Sequence, residues 1–577
     1  MRRGRAARVV TATALAAMTL GVAGTAPPAS AAPITLDWTA DIDSTIGGLI
    51  NQTVAFPDGT FDGEVDLGTG LMTGDIALPT ATLTFNAFGL IPVRTDIQVV
   101  PEGPVTGTVD ITTMQVTADL TFDIVIPRFQ LVGVGVLNPN AECRTVEPAH
   151  ATLTGTLDSS LGAASLTGTY AIGSFQGCGF FGGFINLFTV NPNNTLTAEL
   201  AAKATPGAAP PASFYQPPAQ LPPNPGDVIR TQPVPLGDRT GVNGTAVLYR
   251  STNAVGGANA VSGTLYVPTA PWSGGGPRPI VGFAPGTQGL ADRCAPSQTL
   301  PLATNYELNT VNALLDKGWA VAVTDYEGLG TPGHPTYIVK DAEANAVLDI
   351  VRAAQRIPGS GVTASSPVGI WGYSQGGQAA AAAAEREATY APALDVRGVV
   401  AGAAPSELGA VAAHLDGDGN AFFSFLAFAS LGLDTAYAEL DLGTYLNADG
   451  QALFATATQG QGVCLVDGLQ LGAGKHIADL TTSNPLSTPA WQARIAQQEL
   501  GTVAPAAPVF LYHGSNDQVI DFAQGTSLRT DWCGRGGKVV FTSFPVDHLG
   551  GITAGNADGS DFLAARFAGQ ALPPTCT

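Results

Sequence analysis

The pattern of hydrophobic and polar positions divides the chain into two parts. Between residues 32 and 200, apolar and polar residues alternate with a period of two, as in residues 80–85, 108–126 and 151–157. This alternation is typical of strands that bury one face, and turn residues interrupt it at short intervals. The pattern predicts an all-β sandwich or barrel of antiparallel strands for this part of the chain.

From about residue 213 onward, short apolar runs alternate with stretches that favour helices. The predicted buried strands are residues 278–284, 319–324, 367–373, 398–402, 508–512 and 538–544, and helices are predicted at 305–317, 341–355 and 376–389. Such alternation predicts an α/β fold with a mainly parallel sheet covered on both faces. The spacing breaks at about residues 404–490, where an Ala-, Phe- and Leu-rich segment predicts a helical cap inserted between two strands.

The ends of these two parts are also marked in the sequence. Residues 201–212 are rich in Ala and Pro, which predicts a linker between a β-rich accessory domain at 32–200 and an α/β domain at 213–577. At the amino terminus, four Arg precede an apolar run at 9–24 and the small residues Ala29-Ser30-Ala31. This order predicts a secretory signal peptide at residues 1–31.

The protein is therefore expected to be exported, either as a secreted protein or in association with the cell envelope. After the predicted signal peptide the sequence has no stretch of 18 apolar residues, so no transmembrane segment is predicted. The formal net charge of the 577 residues is −21, and without the four Arg of the predicted signal it is −25. A negative field of this size repels phosphate backbones, so a nucleic-acid partner is not expected.

Six cysteines in an exported chain predict disulfide bonds. Cys143 and Cys178 are the only cysteines of the β-rich part, so they are expected to pair with each other. The other four are Cys294, Cys464, Cys533 and Cys576. No cysteine belongs to a CxxC motif or a Cys/His cluster, so neither a metal centre nor a cofactor is predicted.

The motif Gly372-Tyr373-Ser374-Gln375-Gly376 carries the main chemical signal. A strand-like run precedes it and an Ala- and Glu-rich, helix-forming run follows it. A sharp turn between strand and helix places its serine in an exposed, strained position, and the two flanking glycines allow the close packing that the turn requires. We therefore predict that Ser374 is a nucleophile; the alternative is a tight turn whose serine only caps the helix.

A serine nucleophile needs a base that is oriented by an acid, and in α/β-hydrolases the chain order is serine, acid, histidine. His548 follows the last predicted strand and is the expected base, whereas His513 is expected to be a packed strand-end residue. Asp517 follows the strand at 508–512 and is the expected acid. Asp521 and Asp547 are expected to be helix caps or solvated charges.

An oxyanion hole requires two N–H donors. The N–H of Gln375 is one candidate, since it opens the helix after the nucleophile. The loop at residues 284–289 follows the first strong strand, and the N–H of Thr287 or Gln288 is the second candidate. The loop at residues 325–330 is predicted to be mainly a structural turn.

Several stretches resemble the secretory lipase family of lipase A-like α/β-hydrolases. They are Ser213-Phe214-Tyr215, Gly286-Thr287-Gln288-Gly289 through Cys294-Ala295-Pro296-Ser297, Thr324 through Gly330, Gly372 through Gly377, Asp517 and Asp547-His548, in family order. The resemblance covers residues 213–577 and implies ester hydrolysis, a helical cap and catalysis without a metal. It also implies the pairs Cys294–Cys464 and Cys533–Cys576. Pro285 departs from related hydrolases, which often have His at this place.

Together, these features predict a secreted serine lipase or esterase that acts on lipid esters. One alternative is an envelope acyltransferase that uses the same nucleophile. Another is a non-enzymatic envelope or surface-binding protein in which residues 32–200 carry the function. For those residues we expect contact with the cell envelope or with an insoluble substrate. Four phenylalanines of the predicted cap are expected to pack in the core, and the alternative is that they line an acyl pocket. They are Phe422, Phe423, Phe425 and Phe428.

Overall fold

The computed structural model describes residues 33–576, apart from a set of short segments. These segments are residues 48–49, 67–68, 88–90, 111–112, 132–134, 137–141, 159–161, 180–181, 204–208, 418–421 and 460–461. The predicted signal peptide at 1–31 and part of the predicted linker therefore lie outside the described residues.

The amino-terminal part is all-β, as its alternating pattern predicts. Its strands are β1 (Ile34–Ile46), β2 (Gln52–Val65), β3 (Leu71–Ala77), β4 (Ala81–Ala87), β5 (Ile91–Pro101), β6 (Val105–Asp110), β7 (Gln115–Leu131), β8 (Gly135–Val136), β9 (Arg144–Thr145), β10 (Ala149–Leu157), β11 (Ala163–Ile172), β12 (Phe175–Gln176) and β13 (Asn191–Ala202). A short helix, α1 (Gly182–Thr189), precedes β13.

Eight of these strands close into an antiparallel barrel. The order around it is β10, β11, β13, β1, β2, β3, β6 and β7, and β7 pairs back to β10. The sequence predicted either a sandwich or a barrel, and the structure has a barrel. The barrel closes at the first half of β7, which pairs with β6 on one side and with β10 on the other. The second half of β7 pairs with β5, which leads to β4 outside the closed ring.

Side chains of the barrel strands alternate between a buried apolar face and a polar outer face. In β10, for example, alternate residues are buried and exposed along the strand. Trp38, Phe61 and Phe122 belong to the buried set, which forms one apolar core inside the barrel. A disulfide bond between Cys143 and Cys178 joins the segments around β9 and β12.

The carboxy-terminal part is built on a nine-stranded sheet with the order β14, β15, β16, β18, β17, β19, β20, β21 and β22. Its strands are β14 (Val228–Val234), β15 (Val242–Thr252), β16 (Ala258–Pro268), β17 (Ile280–Ala284), β18 (Ala320–Thr324), β19 (Val368–Tyr373), β20 (Val396–Gly402), β21 (Val509–Gly514) and β22 (Val539–Phe544). The strands from β17 to β22 are parallel, as predicted. The antiparallel strands β14–β16 were not predicted, because their mixture of Thr, Asn, Ser and Gly hides the apolar pattern.

Helices cover both faces of this sheet. They are α2 (Pro296–Thr299), α3 (Leu308–Asp316), α4 (Lys340–Arg356), α5 (Gln375–Tyr390), α12 (Phe522–Gly534), α13 (His548–Ala554) and α14 (Asn556–Phe567). Helices α4, α5 and α12 contribute to the apolar core on one face, and α3 and α14 contribute to the core on the other.

Among the described residues, six α-helices lie between β20 and β21. They are α6 (Leu408–Leu415), α7 (Phe423–Ala436), α8 (Ala448–Thr458), α9 (Leu465–Gly472), α10 (Ile477–Leu480) and α11 (Pro489–Ala496). A disulfide bond between Cys294 and Cys464 joins this helical segment to the loop after β17. A third disulfide bond joins Cys533 of α12 to Cys576 near the carboxy terminus. Over the described part of the chain, no helix is both long enough and apolar enough to cross a membrane.

Candidate active site

Ser374 lies at a sharp turn between β19 and α5. Its backbone has a φ of 59° and a ψ of −120°, a left-handed conformation that L-residues rarely adopt. The strand before Ser374 is buried and runs parallel to both neighbouring strands. The N–H of Ser374 donates to Gly402 O across 2.9 Å. The turn therefore holds the Ser374 side chain at the carboxyl edge of the sheet.

Two glycines make this turn sterically possible. A Cβ atom at Gly372 would lie 2.0 Å from Gly376 O, and a Cβ atom at Gly376 would lie 2.0 Å from Ala284 O. Both contacts are with backbone atoms, which cannot move aside as a flexible side chain could. The glycine spacing in the sequence thus reflects close backbone packing at this turn.

His548 lies beside Ser374. Its Nε2 is 2.9 Å from Ser374 Oγ. It follows the last strand, as predicted, and is the first residue of the short helix α13. Gln518 Oε1 accepts from the His548 N–H, and the His548 carbonyl accepts from Tyr373 Oη across 2.6 Å, so the backbone is fixed on both sides.

Asp517 lies on the other side of the imidazole. Its Oδ2 is 2.7 Å from His548 Nδ1, and its Oδ1 accepts from the N–H groups of Val519 and Ile520. Burial by itself would raise the pKa of Asp517. The charge of His548 and the hydrogen bonds from His513 and His548 outweigh burial and hold that pKa well below its usual range.

Asp521 and Asp547 take no part in this chain of hydrogen bonds, and His513 meets it only at Asp517. Asp521 caps α12 through the Ala523 N–H, and Asp547 caps α13 through the Gly550 N–H. His513 is fully buried on β21, and its Nε2 lies 2.8 Å from Ile520 O. The same Nε2 lies 3.4 Å from Asp517 Oδ2, so His513 also contacts the carboxylate of Asp517.

The loop after β17 begins beside the turn at Ser374, since Ala284 O lies close to Gly376, and three side chains fix the backbone of the loop. Tyr326 Oη donates to Pro285 O, and Tyr306 Oη donates to Thr287 O. The Gly286 N–H donates to Glu307 Oε1 across 2.8 Å. Burial raises the pKa of Glu307 to about 7, although the hydrogen bond from Gly286 acts in the opposite direction.

The side chains of Thr287 and Gln288 are themselves buried and bonded. Thr287 Oγ1 is 2.8 Å from Tyr337 Oη, and Gln288 Oε1 accepts from Asn305 Nδ2 across 2.9 Å. The Gln288 carbonyl accepts from the N–H of Leu465 in the helical segment. Hydrogen bonds of both side chains and backbone therefore hold the loop in place.

Gln375, the first residue of α5, is held from a different direction. Its Nε2 donates to Glu343 Oε1 across 2.7 Å, and the same oxygen accepts from the Ile338 N–H. Burial raises the pKa of Glu343 to about 8. The first N–H groups of a helix have no partner within that helix, so the Gln375 N–H can serve an external acceptor.

A cavity of about 40 Å³ adjoins Ser374 and Gln375. Apolar side chains from α6, α7 and α11 form most of its lining, among them Ala412, Phe425 and Ile495. Phe423 and Phe428 are fully buried in the packing of these helices instead. The phenylalanine cluster therefore divides, with Phe425 at the cavity and Phe423 and Phe428 in the core.

This arrangement has the parts that acyl transfer needs. A serine hydroxyl, an imidazole and a carboxylate in one hydrogen-bonded chain can activate the hydroxyl as a nucleophile. Backbone N–H groups at a helix start can stabilise a developing oxyanion. Among the described residues, no group of three or more His, Cys, Asp or Glu side chains is placed to hold a metal ion.

Four residues that hold the two sides of this site were not predicted from the sequence, namely Glu307, Glu343, Tyr337 and Gln518. Glu343 had a usable signal. It lies one helical turn before Ala346 and Val347 on the apolar side of α4, where an acid is unexpected. Asp325, in the loop predicted to be structural, is buried and accepts from Ser262 and Ser297, as a structural residue would.

Proteins of known structure share the fold of the carboxy-terminal part. The carboxy-terminal part has the architecture of an α/β-hydrolase, and a structure of Candida antarctica lipase A superposes with a TM-score of 0.58 at 24% identity, over 64% of this chain and 89% of the lipase. The family model described as "Secretory lipase" matches residues 294–573.

Two sequence relatives extend the comparison. A probable inactive lipase of Mycobacterium tuberculosis (strain CDC 1551 / Oshkosh) is 31% identical over 362 residues, which are 59% of this chain and 78% of the relative. A secreted triacylglycerol lipase of Malassezia globosa is 28% identical over 388 residues, or 63% of this chain and 80% of the relative. The chain belongs to the secretory lipase family, which confirms the resemblance seen in the sequence.

Proposed function

We propose that the protein is an exported serine carboxylic ester hydrolase that acts on lipid esters through Ser374, His548 and Asp517. The observation that carries this proposal is the continuous hydrogen-bonded chain from Asp517 Oδ2 through His548 to Ser374 Oγ. It lies beside an apolar cavity, as a site for an acyl chain requires.

In the proposed mechanism, Ser374 Oγ attacks the carbonyl carbon of the ester, and His548 Nε2 takes the hydroxyl proton. Asp517 keeps His548 in the correct orientation and stabilises the imidazolium that forms. Collapse of the tetrahedral intermediate releases the alcohol, which receives the proton from His548 and leaves an acyl-enzyme. Water, deprotonated by His548, then attacks the acyl-enzyme. The second tetrahedral intermediate collapses to release the acid, and His548 returns the proton to Ser374 Oγ.

The negative charge of each intermediate is assigned to the backbone N–H groups of Gln375 and of Thr287 or Gln288. The rigid attachment of both segments supports this role, because a preorganised donor costs no reorganisation during the reaction. Pro285, the departure from related hydrolases, fits the same loop, since its carbonyl accepts from Tyr326.

We further propose that the helices at about residues 404–490 act as a cap over the site. Their side chains line the cavity next to Ser374, and the Cys294–Cys464 disulfide bond ties them to the loop after β17. The domain limits proposed with this function are a signal peptide at 1–31, an accessory domain at 32–200, a linker at 201–212 and the hydrolase at 213–577.

The relatives do not agree on activity, since one is named a probable inactive lipase and another a secreted triacylglycerol lipase. The test is hydrolysis of p-nitrophenyl esters of increasing acyl length by the mature protein and by Ser374→Ala. We expect the variant to lose at least about 10³-fold in kcat while it unfolds at the same temperature. Equal rates for the two proteins would refute the serine mechanism.

The same assay separates hydrolysis from acyl transfer. A sugar or glycerol acceptor is added, and free acid and transferred product are quantified in parallel. We expect free acid to dominate. An excess of transferred product would favour the acyltransferase alternative while leaving the role of Ser374 intact.

A further inference from the structure

The amino-terminal barrel encloses a cavity that the proposed catalysis does not use. Its volume is about 80 Å³, and most of its lining comes from the inward faces of the eight barrel strands, with further residues from β5, β12 and α1. Eight strands are the number at which a barrel interior is either just filled by side chains or holds one small ligand. In this barrel the side chains leave space unfilled.

The chemistry of the lining is uniform. Among the described residues around the cavity, none carries a charge. The lining has three hydroxyl groups, and each has a partner: Ser44 Oγ lies 2.6 Å from Tyr170 Oη, and Thr189 Oγ1 donates to Ile185 O. A cavity with these walls offers water few bonds, and such cavities stay dry and accept apolar molecules.

The size of the cavity sets the length of chain that it accepts. A volume of 80 Å³ is several times the roughly 10–15 Å³ that one water-sized group needs, so the cavity has room for a short run of methylene groups. The lining runs from Leu36 and Leu157 at one end to Phe175 and Thr189 at the other. Because the lining extends along the length of the strands, the ligand segment that we assign to this cavity is an extended hydrocarbon chain.

One end of the cavity adjoins a polar cleft. Leu157 and Ala164 line the apolar cavity and also line a cleft of about 470 Å³, whose other side is formed by Arg293 and Asp467 of the hydrolase part. Asp158 and Glu199 of the barrel line the same cleft. With three acids and one Arg, the cleft disfavours a carboxylate or phosphate headgroup and suits an uncharged hydroxyl-bearing one.

We propose that the barrel is a binding site for a single-chain amphipathic lipid, with its hydrocarbon chain inside the barrel and an uncharged headgroup in the cleft beside Arg293 and Asp467. The ligand class is a monoacylglycerol or a similar neutral monoacyl lipid. The proposal does not depend on catalysis by Ser374.

The test uses the full mature chain with Ser374→Ala, so that no bound ester is consumed. The probe is a glycerol monoester of an eight-carbon acid with a photoreactive diazirine near the chain end. After irradiation and digestion, mass spectrometry locates the labelled peptides. We expect labels on inward-facing residues of the barrel strands, suppressed by unlabelled 1-octanoylglycerol and less well by octanoate. Labels found only around the cavity beside Ser374 would overturn the proposal.

Two alanines on β13 give a matched pair of variants. Ala198 faces into the cavity, and Ala201 faces outward on the same strand. Ala198→Leu should weaken barrel labelling about tenfold, because the ligand loses the burial of roughly two methylene groups. Ala201→Leu should leave labelling unchanged. Equal labelling of the two variants would refute the barrel site.

A variant with a larger cavity keeps the test decisive if Ala198→Leu does not fold. Leu166 lines the cavity, and Leu166→Ala enlarges it. The preferred chain should become longer than that of the parent protein in competition with monoacylglycerols of increasing length. An unchanged preference would contradict binding inside the barrel.

Discussion

Glu343 and Gln375 lie against each other inside the protein, with Gln375 Nε2 2.7 Å from Glu343 Oε1. Glu343 is fully buried, and its second carboxyl oxygen has no hydrogen-bond partner among the described residues. A charged carboxylate is unfavourable there, which is why the pKa of Glu343 is raised to about 8. The residue next to the proposed nucleophile is therefore held by a neutral acid at pH 7.

The first prediction concerns stability against pH in Glu343→Gln. The folded pKa of Glu343, about 8, lies above the ordinary value of 4.5, so unfolding releases a proton between these two pH values. Its contribution to the free energy of unfolding is complete below about pH 4.5 and is lost as pH rises toward 8. Glu343→Gln should remove that loss, which amounts to roughly a few kcal/mol.

Urea unfolding of both proteins between pH 5 and 9 measures this difference. Tyr337 and Tyr326 also face Glu343, and Glu307 and Asp325 have raised pKa values of their own, so the comparison uses the difference between the two proteins. Parallel stability curves would show that Glu343 does not titrate in this range. Activity at pH 7 should survive in Glu343→Gln, whose amide oxygen can still accept from Gln375, and fall in Glu343→Ala.

The second prediction concerns Asp517→Asn. The substitution removes the carboxylate that orients His548, and kcat/KM for a p-nitrophenyl ester should fall by about 10⁴-fold. The depressed pKa of Asp517 means that its stabilising effect is present above its unfolded pKa and is lost as pH falls below about 4. The variant should therefore be less stable than the parent at pH 7 and lose less stability in acid.

Activity and acid unfolding are measured on the same preparations. Asp521→Asn is the matched control, because Asp521 is a nearby helix cap that does not contact His548. If Asp521→Asn lowered kcat/KM as strongly as Asp517→Asn, the assignment of the acid would be wrong.

The third prediction concerns the turn around Ser374. Gly376→Ala would place a Cβ atom 2.0 Å from Ala284 O, a contact that only a backbone shift can relieve. We expect a loss of at least about 3 kcal/mol in stability or a failure to fold. Gly275→Ala is the control, since a Cβ atom there meets no atom within 4 Å. Soluble yield and thermal unfolding compare them, and equal stability would contradict the packing described for the turn.

Local sequence patterns predicted the elements that carry the site, because strand, turn and helix around Ser374 are specified within about twenty residues. The order of Ser374, Asp517 and His548 likewise follows from where the strands end. Closure of the barrel was not predictable, since it depends on β7 pairing with β10 as well as with β6, and β7 and β10 are not consecutive strands. Glu307 and Glu343 were missed because their partners, Gly286 and Gln375, are distant in sequence and adjacent only after folding.

The last prediction concerns acyl-chain preference. Ala412 on α6 is buried and lines the cavity beside Ser374, whereas its neighbour Ala413 is exposed and does not line it. Ala412→Leu adds about three carbon atoms to a cavity of about 40 Å³, which leaves little room for an acyl chain. The variant should keep its rate on the acetyl ester and lose about tenfold or more in kcat/KM on the octanoyl ester, because burial of at least two methylene groups is lost. Ala413→Leu should behave like the parent protein on both esters. A uniform loss on both esters in Ala412→Leu would indicate general damage to the site, and an unchanged ratio of the two rates would mean that the acyl chain binds elsewhere.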